Sequence, residues 1–377
     1  MAFELDQRYE VVRTEAAALA SRVEHLAVEA DAMSIVHPQM LEALRTSGLA
    51  ELMVPAAHGG RFDTVDPVAV TIAREELMGT SSHLDSLFAL QGIGSYAVAV
   101  GGDEDQRTRW LPRVARAEVL AALALTEPVA GSDLKSTATT IVEDHGELVV
   151  DGDKSFISNA GAAGFYTVFG REGEGFSVVL VPADADGVST EPSPEIIAPH
   201  VLGEVTLRGV RVPLEHRLGA PGEGLDLILS TLAMFRVSVA GAAVGLARAA
   251  LEEATRHSAQ REQFGRPLAR LGPVAGLLAD CWAELEAARL LTYRAASLAR
   301  EDPRGNIHHS SMAKLFASEA AGRIVDRCVQ VMGRWGLIRD SRIERLYRQA
   351  RPIRIYEGAS EVLRLGIAAA LVDEVMD

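Results

Sequence analysis

Apolar residues recur at three- and four-residue spacing along the first third of the chain. This spacing predicts an amphipathic helix over Tyr9–Asp31 and a shorter one over Pro38–Ser47 that ends at Gly48. A loop rich in Pro and Gly follows at 55–60. Further helices are predicted at 66–78, 82–100 and 104–115. Residues 1–120 are therefore predicted to form a helical domain.

The pattern changes between residues 121 and 223, where Gly, Pro, Asp and Thr become frequent. Short runs of alternating apolar and polar positions predict strands at 147–150, 155–158, 176–181 and 205–212. Asp151-Gly152 lies between the first two runs and predicts a hairpin turn. About 100 residues of this kind are typical of a small β-barrel or sandwich.

Four long apolar segments follow, at 225–261, 273–300, 307–332 and 360–376. Helices that are apolar on more than one face bury one another in a bundle and leave apolar surface for a neighbouring subunit. The most apolar stretch is interrupted by Asp226, Arg236 and Arg248, which favours a buried helix over a membrane span. The predicted fold class is mixed α+β, with a helical domain at 1–120, a β-barrel at 121–223 and a four-helix bundle at 224–377.

Net charge and composition restrict the possible partners. The 377 residues carry a formal net charge of −15, which disfavours nucleic acid and anionic membranes because both require a positive surface. The first residues do not resemble a secretory signal, and we expect a cytoplasmic location. The ten histidines show no metal-binding spacing, so no metal site is predicted. Cys281 and Cys328 are expected to be free buried thiols, with a disulfide as the alternative.

Two strings in the middle of the chain carry candidate chemistry, and each has a structural alternative. Residues 124–133 combine small residues, hydroxyls and Gly, which let backbone N–H groups approach an anionic or heteroaromatic ligand. An ordinary turn-rich loop has the same composition. In 154–161, Phe156 and Ser158 are two apart on a predicted strand and are expected to share a face beside a flat ligand. The alternative is a plain core phenylalanine.

Two further strings lie in the C-terminal part. Arg261 offers a planar guanidinium that suits a pyrophosphate, and Phe264 offers an aromatic ring that can cover a flat ligand. Alternatively, the string is only a solvated helix end. Glu357 lies between a Tyr and a Gly just before the last predicted helix. Apolar neighbours would raise the pKa of Glu357 and make it a usable base. Alternatively, Glu357 and Glu361 only stabilise the first turn of that helix through its dipole.

Taken together, the four strings resemble the acyl-CoA dehydrogenase family in order and spacing across nearly the whole chain. The flavin loop of the family is similar to 126–133, and its aromatic-Ile-hydroxyl-Asn string is similar to 156–159. Its Arg-x-x-Phe-Gly is similar to 261–265, and its catalytic Tyr-Glu-Gly is similar to 356–358. The family fold is a helical domain, a β-barrel and a four-helix bundle, which is also the fold that the hydrophobic pattern predicts.

The resemblance implies an FAD-dependent enzyme that removes two hydrogens from the α and β carbons of an acyl thioester. By similarity, Glu357 removes the α-proton while the β-hydrogen passes to flavin N5, and the Glu357 backbone N–H holds the thioester oxygen where charge develops. Some members place the base before the arginine of the first bundle helix, where this chain has Phe235, which cannot accept a proton. The implied FAD contacts are Leu125, Thr126, Ser132, Phe156, Ser158, Arg261, Phe264, Gln330, Gly333, Ala359 and Glu361, and the implied substrate contacts are Ser132, Arg236, Tyr356 and Gly358.

The resemblance also implies partners. Arg261 and Phe264 resemble residues that reach the FAD of a neighbouring subunit, which implies a homotetramer or homodimer. An electron-transfer flavoprotein or a similar acceptor would reoxidise the flavin. The acyl group would be selected around Leu90, Gly94, Met234 and Phe235.

The chain departs from the family pattern at Gly272, Arg334, Gln349, Ala359 and Ala369. Ala369 stands where some members have an arginine beside the CoA arm, so an acyl-carrier-protein thioester is an alternative substrate. A flavin monooxygenase or oxidase on the same scaffold is a second alternative, which Glu357 disfavours. The net charge disfavours a non-catalytic, DNA-associated member of the superfamily.

Overall fold

The chain folds into two compact units, which a computed structural model describes over residues 6–376. The helical unit comprises the described residues up to Asp31, then Pro67–Asp85, and the chain from Arg236 onward. The sheet unit comprises Ala32–Asp66 and Ser86–Phe235. The chain therefore passes four times between the two units. The predicted division into domains at 120/121 and 223/224 remains a prediction.

Eleven α-helices and ten strands occur in the part of the chain that the structure describes. The helices are α1 Gln7–Val23, α2 Ala27–Ala30, α3 Pro38–Ser47, α4 Pro67–Met78, α5 Ser82–Gly101, α6 Glu104–Ala115, α7 Gly224–Gln260, α8 Gly272–Glu301, α9 Ile307–Met332, α10 Arg342–Ile353 and α11 Ser360–Met376. The strands are β1 Ala121–Ala124, β2 Thr140–Asp144, β3 Glu147–Ser158, β4 Phe165–Glu172, β5 Gly175–Pro182, β6 Val188–Pro192, β7 Leu202–Pro213, β8 Arg217–Leu218, β9 Glu262–Gln263 and β10 Arg266–Pro267.

Local capping chemistry explains where the predicted helices begin and end. Helix α3 starts with Pro38 in its first turn, and Gly48 ends it in the left-handed region, at φ 70°. Helix α6 starts with a capping box in which Asp103 and Gln106 each accept from the backbone N–H of the other. The predicted bounds of α3, α6, α9 and α11 are confirmed, those of α4 and α5 differ by one residue at one end, and those of α7 and α8 differ by one residue at both ends. The single helix predicted over Tyr9–Asp31 is wrong, because α1 ends at Val23 and a 3-10 turn at Glu24–Leu26 separates it from α2.

The sheet unit is built on one mixed sheet of eight strands. Seven strands follow the order β6-β7-β3-β2-β4-β5-β8, and β1 pairs with β4 in parallel. Strands β4 and β5 are buried on both faces: Phe165 and Phe169 pack against α6 residues such as Trp110, whereas Tyr166 and Val168 pack against β3 and β7. A strand that is buried on both faces appears in the sequence as a continuous apolar run without alternation. The alternating pattern therefore does not predict β4.

The predicted hairpin at Asp151-Gly152 is wrong. The two runs around it form one strand, β3, and the turn lies earlier, at His145-Gly146 between β2 and β3. Both turn residues have positive φ, 51° and 84°, as a two-residue hairpin turn with the right-handed strand twist requires. Gly152 instead follows a register shift in the pairing of β3 with β7, and a side chain there would overlap the hydroxyl of Thr139.

Helices pack in a chain of neighbours in the helical unit. Helix α1 packs on α4, α4 on α8, α8 on α9, and α9 on both α10 and α11. The backbones of α4 and α7 come very close, because a Cβ at Gly241 would overlap the backbone of Thr71 and one at Gly245 would overlap the carbonyl of Glu75. Cys281 and Cys328, on α8 and α9, are buried and free, as expected.

Helix α7 is the one helix among the described residues whose length and hydropathy would suffice to cross a membrane. Most of its apolar window, 78%, is buried inside the protein, as in the core helix of a globular protein. In outline, the predicted fold class is confirmed, with N-terminal helices, a middle sheet and C-terminal helices.

Candidate active site

The turn between α10 and α11 carries Tyr356, Glu357 and Gly358 on a constrained backbone. Glu357 has φ 54° and Gly358 has φ 105°, both in the left-handed region. A side chain at Gly358 would place its Cβ 2.7 Å from Leu363 Cδ2, so only glycine fits. A non-glycine residue in this region costs about 1–3 kcal/mol, and such residues cluster at functional sites.

Two cations, the partly buried Arg236 and the buried Lys314, hold the backbone of this turn. The Arg236 Nε–H, on α7, donates to the Glu357 carbonyl at 3.0 Å, and Lys314 Nζ, on α9, donates to the Gly358 carbonyl at 2.7 Å. Arg236 also donates to Ser311 Oγ at 3.1 Å. Because consecutive carbonyls are held from two different helices, the direction of the Glu357 side chain is fixed by the helical unit.

The Glu357 carboxyl lies in surroundings that favour its protonated form. Its Oε2 is buried and has no hydrogen-bond partner among residues 6–376. Burial raises the pKa of Glu357, and the charges of Arg236, Arg74 and Lys314 oppose this increase without cancelling it. Burial also lowers the pKa of Lys314 to about 8 and lowers that of Arg236. An unsolvated carboxyl with a raised pKa is the group that general-base catalysis requires.

The guanidinium of Arg74 is held in place by two side chains. Its guanidinium makes a buried bidentate ion pair with Asp85, at 2.9 and 2.6 Å, and donates to Ser238 Oγ at 3.1 Å. Tyr356, beside the base, is partly exposed, and burial of its ring raises the pKa of its hydroxyl. Within the helical unit, the predicted residues Arg236, Tyr356, Glu357 and Gly358 are thus brought together.

The structure also brings together the two strings of the sheet unit. The Ser155 N–H donates to the Thr126 carbonyl at 2.9 Å, and Lys154 Nζ donates to the Leu125 carbonyl at 3.2 Å. Thr126 and Leu125 are partly buried, and Ser132 is exposed on the loop that follows. The loop therefore lies beside the end of β3, where Phe156 and Ser158 are found.

A buried ion pair stabilises this loop, and the sequence reasoning missed it. Glu127 accepts from Lys154 Nζ at 2.8 Å, from the backbone N–H groups of Ala138 and Thr139 at 2.6 and 3.0 Å, and from the hydroxyls of Thr137 and Thr139. These hydrogen bonds outweigh burial and lower the pKa of Glu127 to about 2. At Lys154 burial outweighs the attraction of Glu127 and lowers the pKa to about 8.

Phe156 and Ser158 lie at the end of β3, as predicted, but beside an irregularity in its pairing with β7. The pairing of β3 with β7 shifts between Lys154 and Ile157, and Phe156 has φ 54°. Lys154 and Ser155 are consecutively buried, whereas Phe156 stays 50% exposed. The irregularity presents an aromatic ring at the surface of the sheet unit. Ser158 Oγ lies 3.2 Å from Nε2 of His200, a residue that no motif indicated.

Other predicted residues lie in exposed parts of the helical unit. Arg261 follows the end of α7, and Phe264, 89% exposed and at φ 53°, forms the turn between β9 and β10. The expected helix end is therefore followed by a small hairpin. Gln330 is in the last turn of α9, Gly333 follows that helix at φ 59°, and Ala359 and Glu361 flank the first residue of α11.

The structure accounts for one departure from the expected pattern. Gln349 on α10 donates to Asp31 Oδ2 at 2.9 Å, and Asp31 also accepts from Ser81 Oγ at 2.6 Å. Of the residues expected around an acyl group, Phe235 and Met234 are buried and Gly94 packs against the backbone of β1. Across the described ranges, no group of three or more His, Cys, Asp or Glu side chains is arranged to hold a metal ion.

Three family models together match most of the chain. The acyl-CoA dehydrogenase N-terminal domain matches residues 6–118, the middle domain matches 122–209, and the C-terminal domain matches 222–372. Among curated proteins, the chain is 34% identical to the cyclohexane-1-carbonyl-CoA dehydrogenase of Geobacter metallireducens over 370 residues, 97% of each chain.

Solved structures agree with the family models. A chain in a structure described as “Electron transferring flavoprotein of Acidaminococcus fermentans” matches with a TM-score of 0.94 and 29% identity, over 98% of this chain and 99% of that one. A glutaryl-CoA dehydrogenase from Mycobacterium smegmatis in complex with FADH2 matches with a TM-score of 0.91 and 26% identity, over 97% and 95%. The resemblance stated from the four strings is confirmed, and this chain belongs to the acyl-CoA dehydrogenase family.

Proposed function

We propose that this chain dehydrogenates an acyl-CoA between its α and β carbons, with Glu357 as the base that removes the α-proton. The enzyme class, the reaction type and the FAD cofactor expected from the sequence are confirmed by membership of the family. The assignment of the base rests on the buried Glu357 Oε2, which has no partner among the described residues and faces three cations. A carboxylate oxygen without a hydrogen-bond partner is available to accept a proton.

The sheet unit offers groups that fit a flavin. Phe156 presents a half-exposed ring for stacking, and Thr126, Ser132 and Ser158 supply hydroxyls that are not fully buried. A side chain at Gly131 would meet nothing within 4 Å, so a ligand can approach the backbone there. Bound FAD supplies a two-electron acceptor. We assign its binding to Leu125, Thr126, Ser132, Phe156 and Ser158, with further contacts from Arg261, Phe264, Gln330, Gly333, Ala359 and Glu361.

The residues of the helical unit have separate tasks in this proposal. Glu357 removes the α-proton, and its raised pKa keeps it basic enough for a weakly acidic C–H once substrate excludes water. Arg236 and Lys314 hold the turn, so that the Glu357 carboxylate and its backbone N–H keep one orientation. That N–H is assigned to the thioester oxygen, where negative charge develops. Ser132, Arg236, Tyr356 and Gly358 are the assigned substrate contacts.

The proposal includes a homo-oligomer. The helical unit exposes large apolar side chains on α8 and α11, among them Trp282 at 66% and Leu365 at 73%. A groove of about 570 Å³ on α8 is lined by Leu290, Leu291, Arg294, Ser297 and Leu298. We assign this surface to contacts between copies of the chain, in a dimer or a tetramer. An electron-transfer flavoprotein is the assigned acceptor, and the free thiols fit a reducing cytoplasm.

The activity is tested by anaerobic titration of the purified yellow protein with acyl thioesters. The panel contains linear, branched and cyclic acyl-CoA and an acyl-carrier-protein thioester. Loss of the flavin absorbance with an acyl-CoA supports the proposal. Loss only with the carrier-protein thioester would mean that the substrate is an acyl-carrier-protein thioester and not an acyl-CoA. Rapid O₂ consumption with substrate would instead indicate an oxidase or monooxygenase. A colourless protein that does not take up FAD would overturn the proposal.

The base is tested with Glu357→Gln, which keeps the size of the side chain and removes its basicity. We expect folded, yellow protein in which substrate reduces the flavin at least about 100-fold more slowly, because positioned bases contribute about 10²–10⁴-fold. Glu252→Gln, an exposed carboxylate on α7, is the matched control and should reduce normally. Normal flavin reduction by Glu357→Gln would remove Glu357 from its assigned role.

A further inference from the structure

A histidine of the sheet unit contacts two serine hydroxyls through one ring nitrogen. His200 Nε2 lies 3.0 Å from Ser86 Oγ, on α5, and 3.2 Å from Ser158 Oγ, at the end of β3. Ser158 is one of the residues assigned above to FAD. The three side chains form a short hydrogen-bonded chain that begins in a helix and ends at the flavin-binding edge of the sheet.

The pairing of β3 with β7 fixes this contact. Ser158 pairs with Leu202, so the residues just before β7 are drawn to the end of β3. The Asn159 N–H donates to the Val201 carbonyl at 3.0 Å, and the Asn159 side chain donates to the Ala121 carbonyl at 3.0 Å. The backbone next to His200 is thus held against the sheet, beside Ser158.

The protonation of the ring decides what it does to the hydroxyls. Burial lowers the pKa of His200 to about 4, so the ring is neutral at pH 7. A neutral Nε2 has either one proton or one lone pair, so toward these hydroxyls it is either a donor or an acceptor and never both. If Nε2 accepts, the Ser158 proton is held by the ring and only oxygen lone pairs face a ligand. If Nε2 donates, the Ser158 proton is free for the ligand.

We infer that His200 is a positioning residue that, together with Ser86, fixes the orientation and the donor or acceptor role of the Ser158 hydroxyl toward the bound flavin. The inference rests on the proposed function only in that Ser158 contacts FAD. His200 acts through Ser158 and touches neither substrate nor reacting atoms in this scheme. Its effect must therefore disappear when the Ser158 hydroxyl is removed, which a merely structural histidine does not require.

The test combines His200→Phe with Ser158→Ala in a double-mutant cycle on the FAD-loaded protein. His200→Phe keeps a planar ring and removes the nitrogen. We expect it to shift the flavin absorption spectrum and midpoint potential, and to lower kcat about tenfold with KM unchanged, as loss of one positioned hydrogen bond predicts. In the Ser158→Ala background, His200→Phe should add less than about twofold. His200→Gln restores a polar group near the same position and should recover most of the spectrum.

Two controls keep the result interpretable. His145→Gln, at an exposed histidine of the β2–β3 turn, should leave spectrum and kinetics unchanged. Melting curves of every variant show whether the fold is retained. The inference is overturned if folded, yellow His200→Phe has the spectrum, potential and kcat of the parent, or if its effect is equally large in the Ser158→Ala background. A parent protein without FAD, or normal reduction by Glu357→Gln, would instead contradict the proposed function.

Discussion

At Glu357 two local features oppose stability: a carboxyl buried without a hydrogen bond on Oε2 and a left-handed backbone. A carboxyl whose pKa is raised in the folded protein holds its proton more tightly there than in the unfolded chain. Ionisation therefore lowers the free energy of unfolding as the pH rises above the unfolded value of about 4.3. The three nearby cations reduce this cost and do not remove it.

Glu357→Gln is therefore expected to make the protein more stable at neutral pH. The neutral amide avoids the cost of burying a charge, and the variant should melt above the parent at pH 7.5. The difference should shrink as the pH falls through the folded pKa and become constant below about pH 4, where the parent carboxyl is mostly protonated in both states. Thermal unfolding of both proteins at several pH values measures it. A variant that melts below the parent at pH 7.5 would show that the carboxylate is a net stabilising group.

The sequence predicts the residues of this site only where a local string carries them. Tyr356, Glu357 and Gly358 are consecutive, and so are the residues of the flavin loop, so a motif reveals them. Lys314 acts on a residue 44 positions away, and His200 on residues 42 and 114 positions away. These contacts depend on which helix or strand packs beside the motif, and no periodicity in a single sequence contains that information.

At the scale of elements, the close approach of α4 and α7 depends on two glycines four residues apart. Gly245→Ala is expected to destabilise the protein by about 1–3 kcal/mol, because the new Cβ overlaps the Glu75 carbonyl and the helices must separate. Gly276→Ala on α8 is the matched control: nothing lies within 4 Å of its Cβ, and alanine should stabilise the helix by about 0.5–1 kcal/mol. Urea unfolding measures both. Equal stabilities would contradict this close packing.

The ion pair of Glu127 with Lys154 gives a second prediction at this scale. Glu127→Gln leaves the Lys154 ammonium buried without a counter-charge, and we expect a loss of about 3–5 kcal/mol at pH 7. Because the pKa of Glu127 is lowered to about 2, its contribution is complete above about pH 4.3 and is lost as the pH falls toward 2. Asp153→Asn, which breaks an exposed pair with Arg208, should cost no more than about 1 kcal/mol. Equal losses in the two variants would contradict this prediction.

Elements with a clear period are predictable, and the exceptions have physical causes. The long helices α7, α8, α9 and α11 have a sustained apolar repeat, so their bounds follow from the sequence to within one residue, whereas the break after α1 does not. Asp151-Gly152 has the composition of a hairpin, but its glycine instead allows the close approach of Thr139 at a bulge. His145-Gly146 forms the turn although histidine is an unusual choice there. Turn composition alone does not distinguish these two uses of glycine.

For the whole molecule, the order of helices, sheet and helices is a local property that the hydrophobic pattern records. The pattern does not show which segments of the chain make up each compact unit, because Pro67–Asp85 belongs to a unit whose other residues are largely C-terminal. Helix α4 belongs to the helical unit because it packs closely against the glycines of α7. In addition, the Glu75 carboxylate on α4 accepts hydrogen bonds from Tyr293 and Arg289 of α8. Side-chain packing and the pairing of buried polar groups together determine such long-range partners.

The exposed apolar surface of α8 leads to the prediction for the assembly. A single chain that left Trp282 and the Leu290 groove in water would lose the free energy of burying them, about 25 cal/mol per Å². We expect light scattering to give the mass of two or four chains, and Leu290→Arg to reduce it by at least half, because a charge in the contact cannot be desolvated. Val142→Arg, at an exposed residue of β2, is the control and should keep the parent mass. A parent protein with the mass of one chain, or a Leu290→Arg variant with the parent mass, would mean that the groove does not join copies of this chain.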